Sequence, residues 1–152
     1  MRIVCISDTH GKHEDIKHIP DGDLLIHAGD SLGIGGIFDL EDLNVWLGTL
    51  PHEHKILIAG NHDWCFQTRS ERARATVTNA TYLEDSGITI GGFYFWGSPW
   101  TPRFRDWAFN LDRGEPLRTQ WQRIPLNTDV LVTHGPPAGI RDTVVTPIVV
   151  VQ

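Results

Sequence analysis

Four apolar runs in this chain each end in residues able to hold a hard cation. Residues 3–7 lead into Asp8-Thr9-His10-Gly11, and residues 23–28 into Gly29-Asp30. Residues 55–59 lead into Gly60-Asn61-His62-Asp63, and residues 129–133 into His134-Gly135-Pro136-Pro137. Aspartate and asparagine oxygens suit Mn²⁺ or Mg²⁺, and imidazole also admits Fe and Zn. Two aspartates drawn together repel, and one resists ionising unless a cation lies between them. Two ions roughly 3.5–4 Å apart can clamp the attacking and leaving oxygens of a displacement at phosphorus, and water bridging them gives hydroxide at neutral pH. Singly, Asp8 and His10 read equally well as turn residues, and Asp30 as a helix cap. An apolar strand ending in Asn-His-Asp has little structural purpose, and four such clusters in succession point to a metal site.

The runs must be positioned to make that site. They are nearly continuous in Leu, Ile and Val, as strands covered on both faces are. If they are parallel neighbours, their polar ends gather at the carboxyl edge of one sheet, where open α/β sheets place their sites. Leu40, Leu43, Leu47 and Leu50 form one face of a helix over 38–50, with Asp39 as N-cap. Residues 70–77 and 115–124 are weaker helical segments. Two alternating runs flank Gly91-Gly92, a pair suited to a tight hairpin turn. Parallel β-α-β units followed by a hairpin suggest a mixed α/β sandwich. No Gly-x-Gly-x-x-Gly opens a helix after the first strand, and the glycine-rich stretch 31–36 lacks the Gly-Lys-Ser/Thr ending of a phosphate loop.

The chain has 152 residues, read as one domain over 1–152, with a net charge of −6. That charge argues against general nucleic-acid binding or an anionic membrane surface, although bound cations would reverse its sign locally. No apolar run approaches the roughly 20 residues that span a bilayer, and no leader pattern precedes the first strand, so a cytoplasmic protein is expected. Cys5 and Cys65 are expected as small buried side chains rather than a disulfide framework. His27 reads as a hydrogen-bonded core histidine. His52 and His54 read as a solvated loop, and His13 and His18 as an exposed short helix. Trp96, Trp100, Trp107 and Phe109 read as packing groups more readily than as a base-stacking platform, and Arg103 and Arg105 as surface arginines.

Asp8-Thr9-His10, Gly29-Asp30, Gly60-Asn61-His62-Asp63 and His134 resemble, in order, the first four motifs of the calcineurin-like metallophosphoesterases. The resemblance implies an α/β fold: a β-sandwich of mixed sheets flanked by helices, with two divalent metals (Mn, Fe, Zn or Mg) at the strand ends. It implies that Asp8 and His10 bind the first metal, that Asp30 bridges both, and that Asn61 and His134 bind the second. It casts His62 as the catalytic group that stabilises the transition state or protonates the leaving group, with Asp63 orienting its ring. Trp96-Gly97-Ser98-Pro99-Trp100, Asp106-Trp107-Ala108-Phe109-Asn110 and His134-Gly135-Pro136-Pro137 look like the metallophosphoesterase-domain-containing subgroup, which resembles cyclic-nucleotide phosphodiesterases of low activity.

The family's fifth motif, Gly-His-x-His, has no counterpart here, since no histidine follows His134. The expectation is therefore a C-terminally truncated domain. It would keep three protein ligands per metal, with occupancy weakened to one or two ions and activity reduced. A non-catalytic metal- or nucleotide-binding relative is the alternative, and a fragment completed by a partner chain or cut by a reading-frame change is a third. The expected substrate is a small-molecule phosphoester, a nucleotide among the options. The apolar tail 144–151 is expected to add a strand or to leave an edge that a homodimer covers.

Overall fold

Residues 1–137, 139, 140 and 142 are described by a computed structural model. The tail 144–151 lies outside them.

The first three runs form β1 (Ile3–Ile6), β2 (Leu24–His27) and β3 (His54–Leu57), and β4 (Thr81–Tyr82) completes a four-stranded parallel sheet in the order β1-β2-β3-β4. Side chains alternate across a strand, so this sheet feeds two cores. Leu25 and Leu57 face the helical layer, where Leu40, Leu43 and Leu47 of α1 (Ile37–Thr49) and Phe66 of α2 (Trp64–Thr68) pack. Leu24, Ile26 and Ile56 face a second sheet, against Ile90, Phe95 and Val132. With helices outside and a sheet inside, every residue of β2 is buried, which accounts for its unbroken hydrophobicity.

The second sheet has three strands, β5 (Ser86–Ile90), β6 (Phe93–Ser98) and β9 (Val130–Thr133). Gly91 and Gly92 form the β5–β6 turn at φ of 59° and 85°, as expected of a hairpin that needs two left-handed residues. The fourth run is not a neighbour of the first three. As β9 it pairs in parallel with β6, from Phe95↔Val130 to Ser98↔Thr133. The site is thus a junction of two sheets rather than the edge of one. Between β6 and β9 the chain makes a small two-stranded sheet, β7 (Thr101–Pro102) with β8 (Asn110–Leu111), and the helix α4 (Glu115–Trp121). The helix α3 (Ser70–Thr76) packs on α1 and α2.

Several local expectations change. Gly36 caps α1, and Asp39 serves from the third position, accepting the Gly36 N–H at 3.4 Å. Cys65 is buried but Cys5 is exposed, because β1 is an edge strand that the three-stranded sheet leaves uncovered. His52 is buried, with Nε2 3.0 Å from the Pro20 carbonyl. His13 is also buried, on a single 3₁₀ turn (His13–Asp15), tilted against Trp46.

Candidate metal centre

The loops that leave β1 and β2 remain paired beyond the strands. Asp8 N–H donates to the Gly29 carbonyl at 3.0 Å, His10 N–H to that of Asp30 at 3.0 Å, and Gly11 N–H to that of Ser31 at 2.9 Å. This pairing holds Asp8, His10 and Asp30 in left-handed backbone, at φ of 55°, 47° and 51°. Left-handed geometry is uncommon for residues with a Cβ and persists only where the surroundings over-determine it. Here it turns three polar side chains toward one point.

Asp63 does much of that fixing. Buried completely, its carboxylate accepts the N–H groups of Gly60 (2.8 Å), Leu32 (2.8 Å) and Ser31 (3.2 Å) and the Ser31 hydroxyl (3.2 Å). Burial raises its pKa, opposed by those N–H donors. The expected orientation of the His62 ring by Asp63 is therefore replaced. His62 Nδ1 lies 3.1 Å from the Gly33 carbonyl, Trp107 stacks on the ring at 4.2 Å and 27°, and His10 meets it edge-on at 4.5 Å.

Asp30 is the hub. Its Oδ1 accepts the His62 N–H at 2.8 Å and lies 3.4 Å from His134 Nε2. Its Oδ2 lies 3.8 Å from His10 Nε2 and 4.0 Å from His62 Nε2. Glycine at 60 is required by this approach, since a Cβ there would overlap the Asp30 backbone nitrogen and carboxylate. His134 reaches across from β9. Its Nδ1 donates to the Ala28 carbonyl at 2.9 Å, which turns Nε2 toward Asn61 Oδ1 (3.1 Å) and Asp30. Burial disfavours the charged ring, but hydrogen bonds to Asp30 and Ala28 and the nearby carboxylates outweigh it and raise His134 to about 8. Asp30 shows the converse balance: burial would raise its pKa, and His134 and the His62 N–H together lower it.

Two triads could each hold an ion, His10–Asp30–His62 and Asp8–Asp30–His134, with the ligand atoms of each within 4.8 Å of one another. Atoms bound to one ion at about 2.1 Å stand roughly 3–4 Å apart, so the spacing and the mixed oxygen–nitrogen donor set fit a divalent metal. All seven residues picked out from the motifs lie in or beside this cluster. These triads set Asp8 with His134 and His10 with His62, while the expected partners also lie together: Asp8 Oδ1 is 4.0 Å from His10 Nε2, and Asn61 Oδ1 is 3.1 Å from His134 Nε2.

Trp107 belongs to the site although it reads as a packing residue in the sequence. The loop that carries it is fastened by Ala108 N–H to the Asn61 carbonyl (3.1 Å) and Phe109 N–H to Gln67 Oε1 (2.8 Å). Trp100 packs on Phe109, and Asp85 accepts from Trp100 Nε1 (2.7 Å), the Ser98 hydroxyl (2.8 Å) and Arg123 (3.0 Å). Trp96 and Phe109 are core, as expected. Arg103 is exposed and pairs with Asp112, also as expected. His27 is buried and its Nε2 lies 3.0 Å from Thr9 Oγ1; since that hydroxyl donates to the Ser31 carbonyl, it accepts from the ring.

The family model for calcineurin-like phosphoesterases matches residues 1–149. The chain belongs to that family. It is 42% identical to metallophosphoesterase domain-containing protein 1 of Homo sapiens over 166 aligned residues, covering 94% of this chain and 51% of the relative. It is 40% identical to a UPF0046 protein of Caenorhabditis elegans, covering 93% of this chain and 56% of that protein. This calcineurin-like phosphoesterase domain thus spans about half the length of the curated relatives it matches. The family's chemistry is metal-dependent hydrolysis of phosphoesters. No helix among the described residues is long and apolar enough to cross a membrane.

Proposed function

We propose that the chain hydrolyses phosphodiesters, cyclic nucleotides among them, with the help of one or two divalent ions and at reduced turnover. The observation that carries this reading is the Asp30 carboxylate, buried at the centre and faced by imidazoles on both of its oxygens. Asp8, His10, Asp30, Asn61 and His134 would hold the ions, and a donor set of carboxylate, amide and imidazole suits Mn²⁺, Fe, Zn²⁺ or Mg²⁺. When bound, the ions supply charge neutralisation for the phosphoryl oxygens and an activated water.

His62 carries the proton chemistry in this reading. With Nδ1–H donating to the Gly33 carbonyl, its Nε2 faces the Asp30 side of the centre and can pass a proton to the departing oxygen. Burial of Asp30 keeps water from competing for the shared carboxylate.

The test is to purify the protein, measure its metal content, and follow a chromogenic phosphodiester with added Mn²⁺. Asp30→Asn should lose metal affinity by at least about a hundredfold and turnover with it. His62→Ala should keep its metal while turnover falls about a hundredfold. Wild-type turnover equal to that of Asp30→Asn rules out catalysis and leaves the reading of a metal- or nucleotide-binding domain.

A further inference from the structure

Beside the centre, on the His10 side, a groove of about 440 Å³ runs between the turn after β1 and the start of α1. Its lining combines three kinds of group. Ile34 and Phe38 are large apolar side chains left 86% and 80% exposed, an arrangement that marks a contact surface rather than packing. Asp39 and Asp42 add two carboxylates, and no lysine or arginine among the described residues lines the groove. His13 lines it as well, 1% exposed. Its Nδ1 has no hydrogen-bond partner among the described residues, and its Nε2 lies 3.1 Å from Asp42 Oδ2 outside hydrogen-bonding geometry. Buried polar atoms are seldom left unsatisfied in folded proteins, so this imidazole marks the groove as a place for a ligand.

We propose that this groove receives the organic group of the phosphoester, and that it selects a group that is apolar along its length and cationic at its end. The inference rests on the phosphoester reading above, because His10 joins the groove to the centre where the phosphate would sit. Phe38 offers an aromatic face of the kind that attracts ammonium groups. Asp39 and Asp42 add attraction for a positive charge and repel any group that carries a further phosphate or carboxylate. Ile34 covers the alkyl portion. A neutral group of the same shape would fill the groove but forgo the charge interactions.

The experiment compares phosphocholine with its uncharged carbon isostere, 3,3-dimethylbutyl phosphate, and with inorganic phosphate, by titration calorimetry on the full chain loaded with Mn²⁺. Phosphocholine should bind about tenfold tighter than the isostere, the combined size of a cation–aromatic contact and exposed ion pairs. Asp42→Asn should shrink that ratio, and Asp39→Asn with Asp42→Asn should bring it close to one while inorganic phosphate binds as before. Equal binding of the two organic phosphates to the wild type, or a preference that survives the double substitution, overturns the proposal even if inorganic phosphate binds. Failure of all three to bind overturns the phosphoester reading as well, so the two losses are told apart by the phosphate titration.

Discussion

The two sheets meet at one centre but contribute to it on different terms. From the four-stranded sheet come Asp8, His10, Asp30, Asn61 and His62, on loops tied to one another by backbone hydrogen bonds and by the buried Asp63 carboxylate. From the three-stranded sheet comes His134, and from the excursion between β6 and β9 comes Trp107. The first group is held by backbone geometry, with three non-glycine residues in left-handed conformation. The second is held by side-chain contacts: a ring nitrogen on the Ala28 carbonyl, a tryptophan on an imidazole, and the Asp85 carboxylate gathering three donors. Backbone constraint fixes the first group, whereas contacts between side chains orient the second, the candidate ligand His134 included.

This contrast predicts unequal costs for similar changes. Gly60→Ala, at the crowded loop of the first sheet, should destabilise the fold by about 2–3 kcal/mol, since overpacking against backbone cannot relax cheaply, and should also reduce bound metal. Gly92→Ala, at the hairpin of the second sheet, meets no atom within 4 Å and should cost only about 1 kcal/mol for its positive φ, leaving metal content unchanged. Chemical denaturation and metal analysis of both proteins would check the pair, and equal costs would break the comparison.

A smaller effect is expected at Trp107. If it acts by holding the His62 ring, Trp107→Ala should lower turnover about tenfold in the wild type but add nothing in the His62→Ala protein. Trp107→Phe should recover most of the loss. A further fall on top of His62→Ala would show that the indole serves some other end, such as touching the substrate.

The smallest effect concerns pH. Burial holds His27 at about 4 against an ordinary 6.5. Between those values the unfolded chain binds more protons than the folded one, so stability falls as pH drops through 6.5 toward 4. The loss from pH 7 to pH 5 should be on the order of 1–2 kcal/mol in metal-free protein and should flatten in His27→Gln, as followed by melting temperature. His134, raised to about 8, acts in another window and the opposite sense: its contribution is complete below 6.5 and fades as pH rises through 8.

The same contrast explains what was legible in the sequence. Asp8, His10, Asp30, Asn61 and His62 stand directly after apolar runs, so a strand assignment also places them, and the loops inherit the order of the strands. His134 was visible for the same reason, but its sheet was not, because a run of Val, Leu and Thr does not disclose its hydrogen-bonding partner. The burial of His13 and His52 depends on contacts with residues about 30 positions away, Asp42 and Pro20, which no local pattern reports. Trp107 sits in an aromatic stretch whose members pack in different directions, and only the fastening of Ala108 and Phe109 reveals which of them faces the centre.

His134 has one more consequence, for folding rather than catalysis. Because Asp30 and His134 sit on different layers of the sandwich, an ion held between them would act as a rivet through the two layers. It would bind only when the layers are stacked in register, so metal concentration would govern how firmly they are pressed together. By mass action, every tenfold increase in free metal above its dissociation constant would add about 1.4 kcal/mol to the stability of the stacked state. A chelator would then loosen the sandwich itself.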